Sequence, residues 1–146
     1  MSAFVTPWDV REVRDGSNDG RGTWKLLAPL VYQSDVAAQT ITVPAGFITD
    51  FASVPRFPPL SFALTGNCAH MAAVVHDWLY TCQTVDRATA DAVLREAGIA
   101  SGVPAWRMAL MWAGVRIGGG SHWTTPGQEQ AEHVACAITE AQREAA

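Results

Sequence analysis

The sequence has no long apolar run and no run of basic residues, and both absences narrow the classes of protein it can belong to. No window approaches the roughly 20 apolar residues of a membrane-spanning helix, so we expect no transmembrane segment. The ten Lys and Arg residues are scattered and the formal net charge is −4, unlike the basic surface of a typical nucleic-acid-binding protein. We therefore expect no nucleic acid as a direct partner.

Disulfide bonds and a secretory signal are not indicated either. Cys68, Cys82 and Cys136 are three in number and form no CxxC pair. The first two would lie at opposite ends of one helix, about 20 Å apart and too far to bridge. The N-terminus lacks a basic stretch followed by an apolar one. We expect reduced cysteines and a protein that is made in the cytoplasm and remains there.

The first 46 residues predict a small antiparallel β-sheet. Residues 8–14 alternate apolar and charged side chains with a period of two, and residues 22–33 are rich in β-forming types. The Gly- and Asp-rich stretch between them is a turn signal, and QTITV at 39–43 predicts a further strand. Three or four strands are expected in this part of the chain.

Residues 47–64 are rich in proline and have no sustained period, which predicts an ordered loop. Asp50 is its one acidic residue and Arg56 its one basic residue. Two interpretations are open. The pair can stabilise the loop through a local turn or salt bridge, or the loop can deliver Asp50 to a site formed with later residues.

Residues 65–146 predict a mainly helical second half. The first helix covers residues 68–82, and the second covers 87–97 with Asp86 as N-cap and Gly98 as its stop. A third, almost wholly apolar helix begins at a proline and ends at three glycines. A fourth is predicted after a capping box at residues 125–128, with an apolar stripe of Ala131, Val134, Ala135, Ile138 and Ala141.

Strands followed by helices predict one α+β domain over residues 1–146. Its expected parts are an N-terminal antiparallel sheet of three or four strands over 1–46, the loop over 47–64, and three or four helices over 65–146. The six tryptophans are many for this length, and large aromatic side chains are enriched at protein interfaces. Oligomerisation or docking on a partner is therefore a further expectation.

His76 and Asp77 are adjacent titratable residues inside an apolar helical run, and their burial requires compensation. Tyr80 shares the face of His76 because it is four residues further along the helix. Asp91 lies on the next helix, four residues from an arginine on either side. It is either part of an exposed ion-pair ladder or the carboxylate that orients His76 as a general base towards water.

Four blocks of the sequence resemble a family of phage and prophage proteins of uncharacterised function. They are VPAGFITDFASVPR, AAVVHDWLY, RxxAD at residues 87–91 and WRMALMWAGVRIGG. The resemblance covers most of the chain and implies a gene of a tailed phage or prophage, often carried among tail and lysis genes, but assigns no reaction. Other tail or assembly proteins are the expected partners, first in the host cytoplasm and then in the virion.

The dyad also resembles the His-Asp pattern of secreted and viral-capsid phospholipases A2. This resemblance implies that His76 activates water, that Asp77 binds calcium, and that Asp91 with Tyr80 holds His76. The glycine-rich calcium loop of that family would be replaced here by LTGN at residues 64–67, and its disulfides have no counterpart. The implied activity is a hydrolase acting on lipid or cell wall with Ca²⁺ or another divalent cation.

Two further interpretations of the dyad stay open. Asp50, His76 and Asp77 or Asp91 can surround Zn²⁺ or Mn²⁺, since mixed imidazole and carboxylate ligands suit these ions. Alternatively, His76 is a buried structural residue hydrogen-bonded to Asp50 or Asp91.

We favour the structural interpretation of the dyad, in which the protein is a phage accessory or assembly component that acts by binding other proteins. Trp106 and Trp112 on the third helix, together with Arg56, are then packing or docking residues. The metal-dependent hydrolase is the alternative, and no cofactor is required by the favoured interpretation.

Overall fold

The computed structural model describes residues 1–14, 23–49 and 67–123. Within them, antiparallel strands come first and helices follow, which confirms the predicted α+β class. Asp50, Arg56, most of the proline-rich loop and the predicted fourth helix lie outside the described residues.

Among the described residues, six short strands form two three-stranded antiparallel sheets. They are β1 (Ala3–Phe4), β2 (Val10–Arg14), β3 (Thr23–Leu26), β4 (Leu30–Ser34), β5 (Gln39–Val43) and β6 (Ile48–Thr49). The order is β1-β4-β5 in one sheet and β2-β3-β6 in the other. The strand predicted at 39–43 is confirmed as β5. The strands are more numerous than expected, because β1 and β6 are two-residue strands that no periodicity can reveal.

The sheet β1-β4-β5 provides the apolar surface on which the helices pack. In β4, Leu30, Tyr32 and Ser34 are buried and alternate with less buried residues, as expected for a strand with one face in the core. Leu30 pairs with Val43 and Tyr32 with Ile41 on β5. These cross-strand pairs place four core side chains on one face of the sheet.

Between residues 67 and 123 the structure has three helices, α1 (Asn67–Cys82), α2 (Arg87–Ala100) and α3 (Ala105–Gly118), with a 3₁₀ turn at Gly119–Ser121. Helix α2 contacts both α1 and α3, and it also contacts β1 and β4. It is therefore the central helix of the described chain. No helix among the described residues is long and apolar enough to cross a bilayer.

The start of α2 was predicted correctly and its end was not. Asp86 accepts a hydrogen bond from the Thr89 backbone N–H at 2.7 Å, as an N-cap should. Gly98, however, lies inside the helix and is buried, and a Cβ there would clash with the Met108 side chain on α3. The left-handed glycine that follows the helix is Gly102, with φ of +90°.

The proline-rich loop also begins later than predicted. Ile48 pairs with Lys25 and Thr49 with Trp24, so residues 48–49 belong to the sheet β2-β3-β6. Phe47 accepts a backbone hydrogen bond from Leu26 and packs edge-on against Trp78 of α1. The second sheet is thereby connected to the helices at the same turn of α1 that carries His76.

Candidate functional site

Asp91 on α2 is the centre of a buried polar cluster. Its Oδ1 atom accepts hydrogen bonds from the Tyr80 hydroxyl at 2.6 Å and from His76 Nε2 at 2.8 Å. Its Oδ2 atom accepts one from Arg116 Nη1 at 2.9 Å. The side chains of Asp91 and His76 are both fully buried. We define these residues, with Arg87, as the Asp91 cluster.

The Asp91 cluster joins all three helices. His76 and Tyr80 point from the same face of α1 because they are one helical turn apart, and their rings lie 4.2 Å apart. Ala72, Ala73 and Ala90 are fully buried near this crossing, and small side chains let two helices approach closely. Arg116 reaches the same carboxylate from the last turn of α3.

Arg87 contacts both the Asp91 cluster and the C-terminal end of α3. Its Nε atom lies 3.8 Å from Asp91 Oδ2 and donates to the Tyr80 hydroxyl at 3.3 Å. Its Nη2 atom donates to the carbonyls of Val115 and Arg116 at 2.8 and 2.7 Å. These carbonyls belong to the last turn of α3, where the Val115 carbonyl also accepts the Gly119 backbone N–H. Arg87 therefore caps α3 and holds it against α2.

The pKa values in the cluster follow from burial and these contacts. Burial lowers the pKa of His76 below 6.5, and this outweighs the upward effect of Asp91, whose negative charge is already opposed by two arginines. Burial alone would raise the pKa of Asp91, but hydrogen bonds from His76, Tyr80 and Arg116 hold it below 3.8. His76 is therefore neutral at pH 7 with its proton on Nε2, donating to an ionised Asp91.

Tyr80 is buried and contacts Asp91, Trp123 and Gly119. Burial, followed by its bond to Asp91, raises the pKa of Tyr80 to about 12. The edge of its ring meets Trp123 with the centroids 4.9 Å apart. A Cβ on Gly119 would lie 2.8 Å from the Tyr80 hydroxyl oxygen. Because Gly119 has no side chain, the Tyr80 hydroxyl has room beside it.

Asp77 points away from the Asp91 cluster. Its Oδ2 atom accepts a hydrogen bond from the Thr49 hydroxyl of β6, and Asp77 is buried. Within residues 1–14, 23–49 and 67–123, no three His, Cys, Asp or Glu side chains lie close enough together to hold a metal ion. Asp77 as a calcium ligand stays a prediction, and Asp50, the other predicted ligand, is outside the described residues.

The structure brings His76, Tyr80 and Asp91 together, and it adds Arg116, which the sequence interpretation did not include. Arg87 was expected to pair with Asp91 only as part of an exposed ladder on the same helix, not beside a buried carboxylate. The signal for Arg87 was its i,i+4 spacing to Asp91, which suggested an exposed ladder instead of a buried bond. Arg116 is 25 residues away in the sequence, so its contact depends on how α3 crosses α2.

A second anion, the half-buried carboxylate of Glu96, was missed entirely. Glu96 on α2 accepts hydrogen bonds from the Ser2 and Ser34 hydroxyls at 2.5 and 2.7 Å and from the backbone N–H groups of Asp35 and Val36 at 3.0 and 2.9 Å. These donors come from the N-terminus and from the end of β4. Glu96 therefore connects α2 to the sheet β1-β4-β5. It is not part of the Asp91 cluster.

Comparison with known proteins places the chain in a family. The family model described as a protein of unknown function, DUF1353, matches residues 24–115. The chain belongs to the DUF1353 family. No curated protein and no solved structure matches it. Membership of an uncharacterised family was expected, whereas the phage origin stays a prediction.

The DUF1353 match includes His76, Tyr80 and Asp91 but ends one residue before Arg116.

The match also includes most of α3, and the two sides of this helix differ in burial. Met108 and Met111 are fully buried on the inner side, so they are core residues. The outer side carries Trp106, Leu110 and Ile117 at spacings of four and seven residues, and all three are exposed.

Trp106 and Trp112 were predicted as packing or docking residues. Trp106 is 63% exposed, whereas Trp112, at 37%, is the more covered of the two and lies to one side of the outer stripe. The Arg107 guanidinium lies over the Trp106 ring, 5.3 Å from its centroid. We call Trp106, Leu110 and Ile117 the outer face of α3. It is an apolar surface with Arg107 beside it and no acidic residue on the helix.

Proposed function

We propose that this DUF1353 protein is an accessory component of a tailed phage or prophage that acts by binding other proteins of the particle or its assembly pathway. The observation that carries the proposal is the complete burial of His76. A general base must meet both a water and a substrate during the reaction, and an imidazole with 0% exposure meets neither in this conformation.

The Asp91 cluster supports a structural role for the dyad. An ionised carboxylate that accepts three hydrogen bonds and lies beside two guanidinium groups has its charge fully compensated. Such a network specifies one arrangement of helices α1, α2 and α3, because any other crossing leaves a buried charge without partners. The protein would then present α3 to a partner as a rigid surface.

The outer face of α3 supports the binding role. Large apolar side chains aligned along an exposed helix favour a protein partner, and tryptophan is among the residues that contribute most to binding. Arg107 beside Trp106 favours a partner that carries acidic residues around an apolar centre. The sequence resemblance to phage and prophage proteins supports a partner among tail or assembly components.

The proposal is tested by photo-crosslinking in cells that produce the parent phage. A benzophenone amino acid replaces Ile117 in one variant and Ile99 in the other, since Ile99 is also an exposed isoleucine but lies on α2. We expect a crosslinked phage protein from position 117 and none from position 99. Equal crosslinking at both positions, or none at either, would contradict a specific docking face on α3.

The hydrolase remains the second candidate because one observation favours it. His76 Nε2 is bonded to Asp91, Tyr80 braces the same oxygen of Asp91, and a second carboxylate, Asp77, follows His76 directly. This is the orientation that the phospholipase A2 resemblance implies, with Nδ1 as the basic atom and Asp77 near a cation. Catalysis by His76 would require a conformational change that exposes its side chain to substrate.

A direct assay separates the two candidates. Purified protein is incubated with anionic phospholipid vesicles or with peptidoglycan, with Ca²⁺ and with a chelator, and compared with His76→Gln. Turnover that needs Ca²⁺ and is lost in His76→Gln while the fold is retained would establish the hydrolase. Identical background rates for both proteins on every substrate are the result expected for a binding protein.

A further inference from the structure

The Asp91 cluster carries more positive charge than its buried carboxylate requires. Asp91 is ionised and already accepts three hydrogen bonds, one of them from Arg116. His76 is neutral, because burial lowers its pKa. Arg87 is a second cation, and its Nε atom lies 3.8 Å from Asp91 Oδ2. Two guanidinium groups beside a single carboxylate leave the cluster with an excess of positive charge.

Several N–H groups of the two arginines have no acceptor in the part of the chain that the structure describes. Arg87 uses Nε for the Tyr80 hydroxyl and Nη2 for the two carbonyls at the end of α3. Arg116 uses Nη1 for Asp91. Within residues 1–14, 23–49 and 67–123, nothing accepts from Arg87 Nη1 or from Arg116 Nε and Nη2. Such guanidinium edges are the donors with which arginine binds phosphate and carboxylate oxygens.

The two guanidinium groups are neighbours, and both side chains reach solvent. They meet at Asp91 Oδ2, which lies 2.9 Å from Arg116 Nη1 and 3.8 Å from Arg87 Nε. The Arg116 side chain is 36% exposed and the Arg87 side chain is 25% exposed. A ligand can therefore approach the arginines from solvent, whereas His76 on the inner side of the cluster is closed to it.

Gly120 leaves space beside Arg87. The residue is exposed, and a Cβ on it would lie 3.5 Å from Arg87 Nη1. Its backbone does not require glycine, because the glycines with positive φ among the described residues are Gly46 and Gly102. A larger side chain at position 120 would stand next to the free N–H groups of Arg87. Glycine at this position therefore keeps them accessible.

We propose that Arg87 and Arg116 bind a phosphate group at the surface where α2 begins and α3 ends, in the space beside Gly120. A phosphate monoester has a charge of about −1.5 to −2 at pH 7 and three acceptor oxygens, so it can accept from both arginines at once. The exposed carboxylate of Asp86 interacts electrostatically with Arg116 and competes with the ligand. We therefore expect a dissociation constant in the millimolar range for phosphate alone.

The test is a titration of the full-length chain with sodium phosphate at constant ionic strength, followed by carbon-detected NMR of the arginine Cζ and Nε signals. The signals of Arg87 and Arg116 should shift and reach saturation. The signal of Arg95, an exposed arginine on α2, should stay in place, and sodium chloride should give no saturation at any arginine. Shifts that grow linearly with phosphate, or equal shifts at Arg95, would overturn the proposal.

Two substitutions at Gly120 form a matched pair. Gly120→Asp places a carboxylate beside Arg87, where it competes with phosphate from within the chain, so phosphate binding should weaken by about tenfold or more. Gly120→Asn has nearly the same shape without the charge and should weaken binding by no more than about twofold. Neither change removes a hydrogen bond to Asp91, and unchanged backbone signals of α1 would verify the fold. Equal affinities of the two variants would overturn a site based on charge.

The phosphate group can belong to a soluble molecule or to a lipid headgroup, and flotation with vesicles separates these sources. The vesicles are phosphatidylcholine with and without phosphatidic acid. Flotation that needs phosphatidic acid and is lost in Gly120→Asp would support a lipid ligand, whereas saturable phosphate shifts without flotation would support a soluble one. These measurements need no protein partner and do not use the outer face of α3, so their outcome is independent of the proposed function.

Discussion

His76 Nε2 lies 2.8 Å from Asp91 Oδ1, and both side chains are fully buried between α1 and α2. The carboxylate stays ionised there because Arg116 and Arg87 approach its other oxygen from α3 and from the start of α2. The imidazole can therefore remain neutral and act as a donor. This division of roles explains how a His and an Asp are accommodated in an apolar core, and the first two predictions test it.

Replacing Asp91 with Asn should destabilise the fold strongly. The amide keeps the shape of the side chain but removes the charge that Arg116 and Arg87 share, and we expect a loss of about 3 kcal/mol in the free energy of unfolding. Asp86→Asn is the matched control, since Asn is an equally good N-cap and should cost almost nothing. Urea unfolding of both variants measures the difference. Equal stabilities would show that the buried charge is unimportant.

The neutral state of His76 predicts a specific pH dependence. Its pKa is below 6.5 in the folded chain and near 6.5 in the unfolded chain, so the unfolded chain binds the extra proton over that interval. Stability from this residue is therefore complete above pH 6.5 and is lost as the pH falls from there. His70, whose pKa burial also lowers, contributes in the same direction.

Unfolding free energies at pH 7.5, 6.5 and 5.5 measure this slope. His76→Gln should show a shallower slope than the wild type. Equal slopes would mean that His76 binds protons equally in the folded and unfolded chains, so that folding does not lower its pKa.

Local patterns predicted what depends on neighbours in the sequence. The shared face of His76 and Tyr80 follows from one helical turn, and the N-cap at Asp86 follows from the side chain and the backbone it bonds. The burial of Asp91 was only one of two interpretations, because the same i,i+4 arginine is expected on an exposed helix. What decided between them was the position of α1 and α3 on either side of α2.

The contacts that were missed depend on tertiary packing. Arg116 reaches Asp91 because α3 crosses α2 at a close distance, and Gly98 allows that distance by leaving space for Met108. A glycine near the end of a helical pattern has the same local signal whether it ends the helix or receives a neighbour. Glu96 likewise has no local signal, since its donors lie 60 to 94 residues away.

The two glycines after α3 give a third prediction. A methyl group on Gly119 would crowd the Tyr80 hydroxyl, which is held by Asp91 and cannot move without breaking a bond of 2.6 Å. We expect Gly119→Ala to cost about 1–3 kcal/mol. Gly120→Ala places its methyl group 3.5 Å from the nearest atom of Arg87, an ordinary contact, and should change stability by less than about 0.5 kcal/mol.

Thermal unfolding of the two alanine variants tests this difference between adjacent positions. Tyr80→Phe in the Gly119→Ala background removes the crowded oxygen, so the double variant should lose less stability than the sum of the two single changes. Additive losses would indicate that the methyl group disturbs something other than the Tyr80 hydroxyl.

The fourth prediction concerns Glu96. Burial would raise the pKa of Glu96, but hydrogen bonds from Ser2, Ser34 and the Val36 backbone outweigh it and hold the pKa below 4.5. Stability from these bonds is therefore complete above pH 4.5 and is lost as the pH falls further. Glu96→Gln at neutral pH should remove about 1.5–3 kcal/mol, because an amide replaces a charged acceptor and turns an N–H group towards the donors.

Hydrogen exchange shows where this loss is located. In Glu96→Gln, the backbone amides of Asp35 and Val36 should exchange much faster, together with those of β1, whereas the amides inside α1 should change little. Glu12→Gln is the control, since Glu12 is an exposed glutamate on β2. If exchange accelerated uniformly through all three helices, Glu96 would be supporting the whole core, and its contact with the N-terminus would have no separate role.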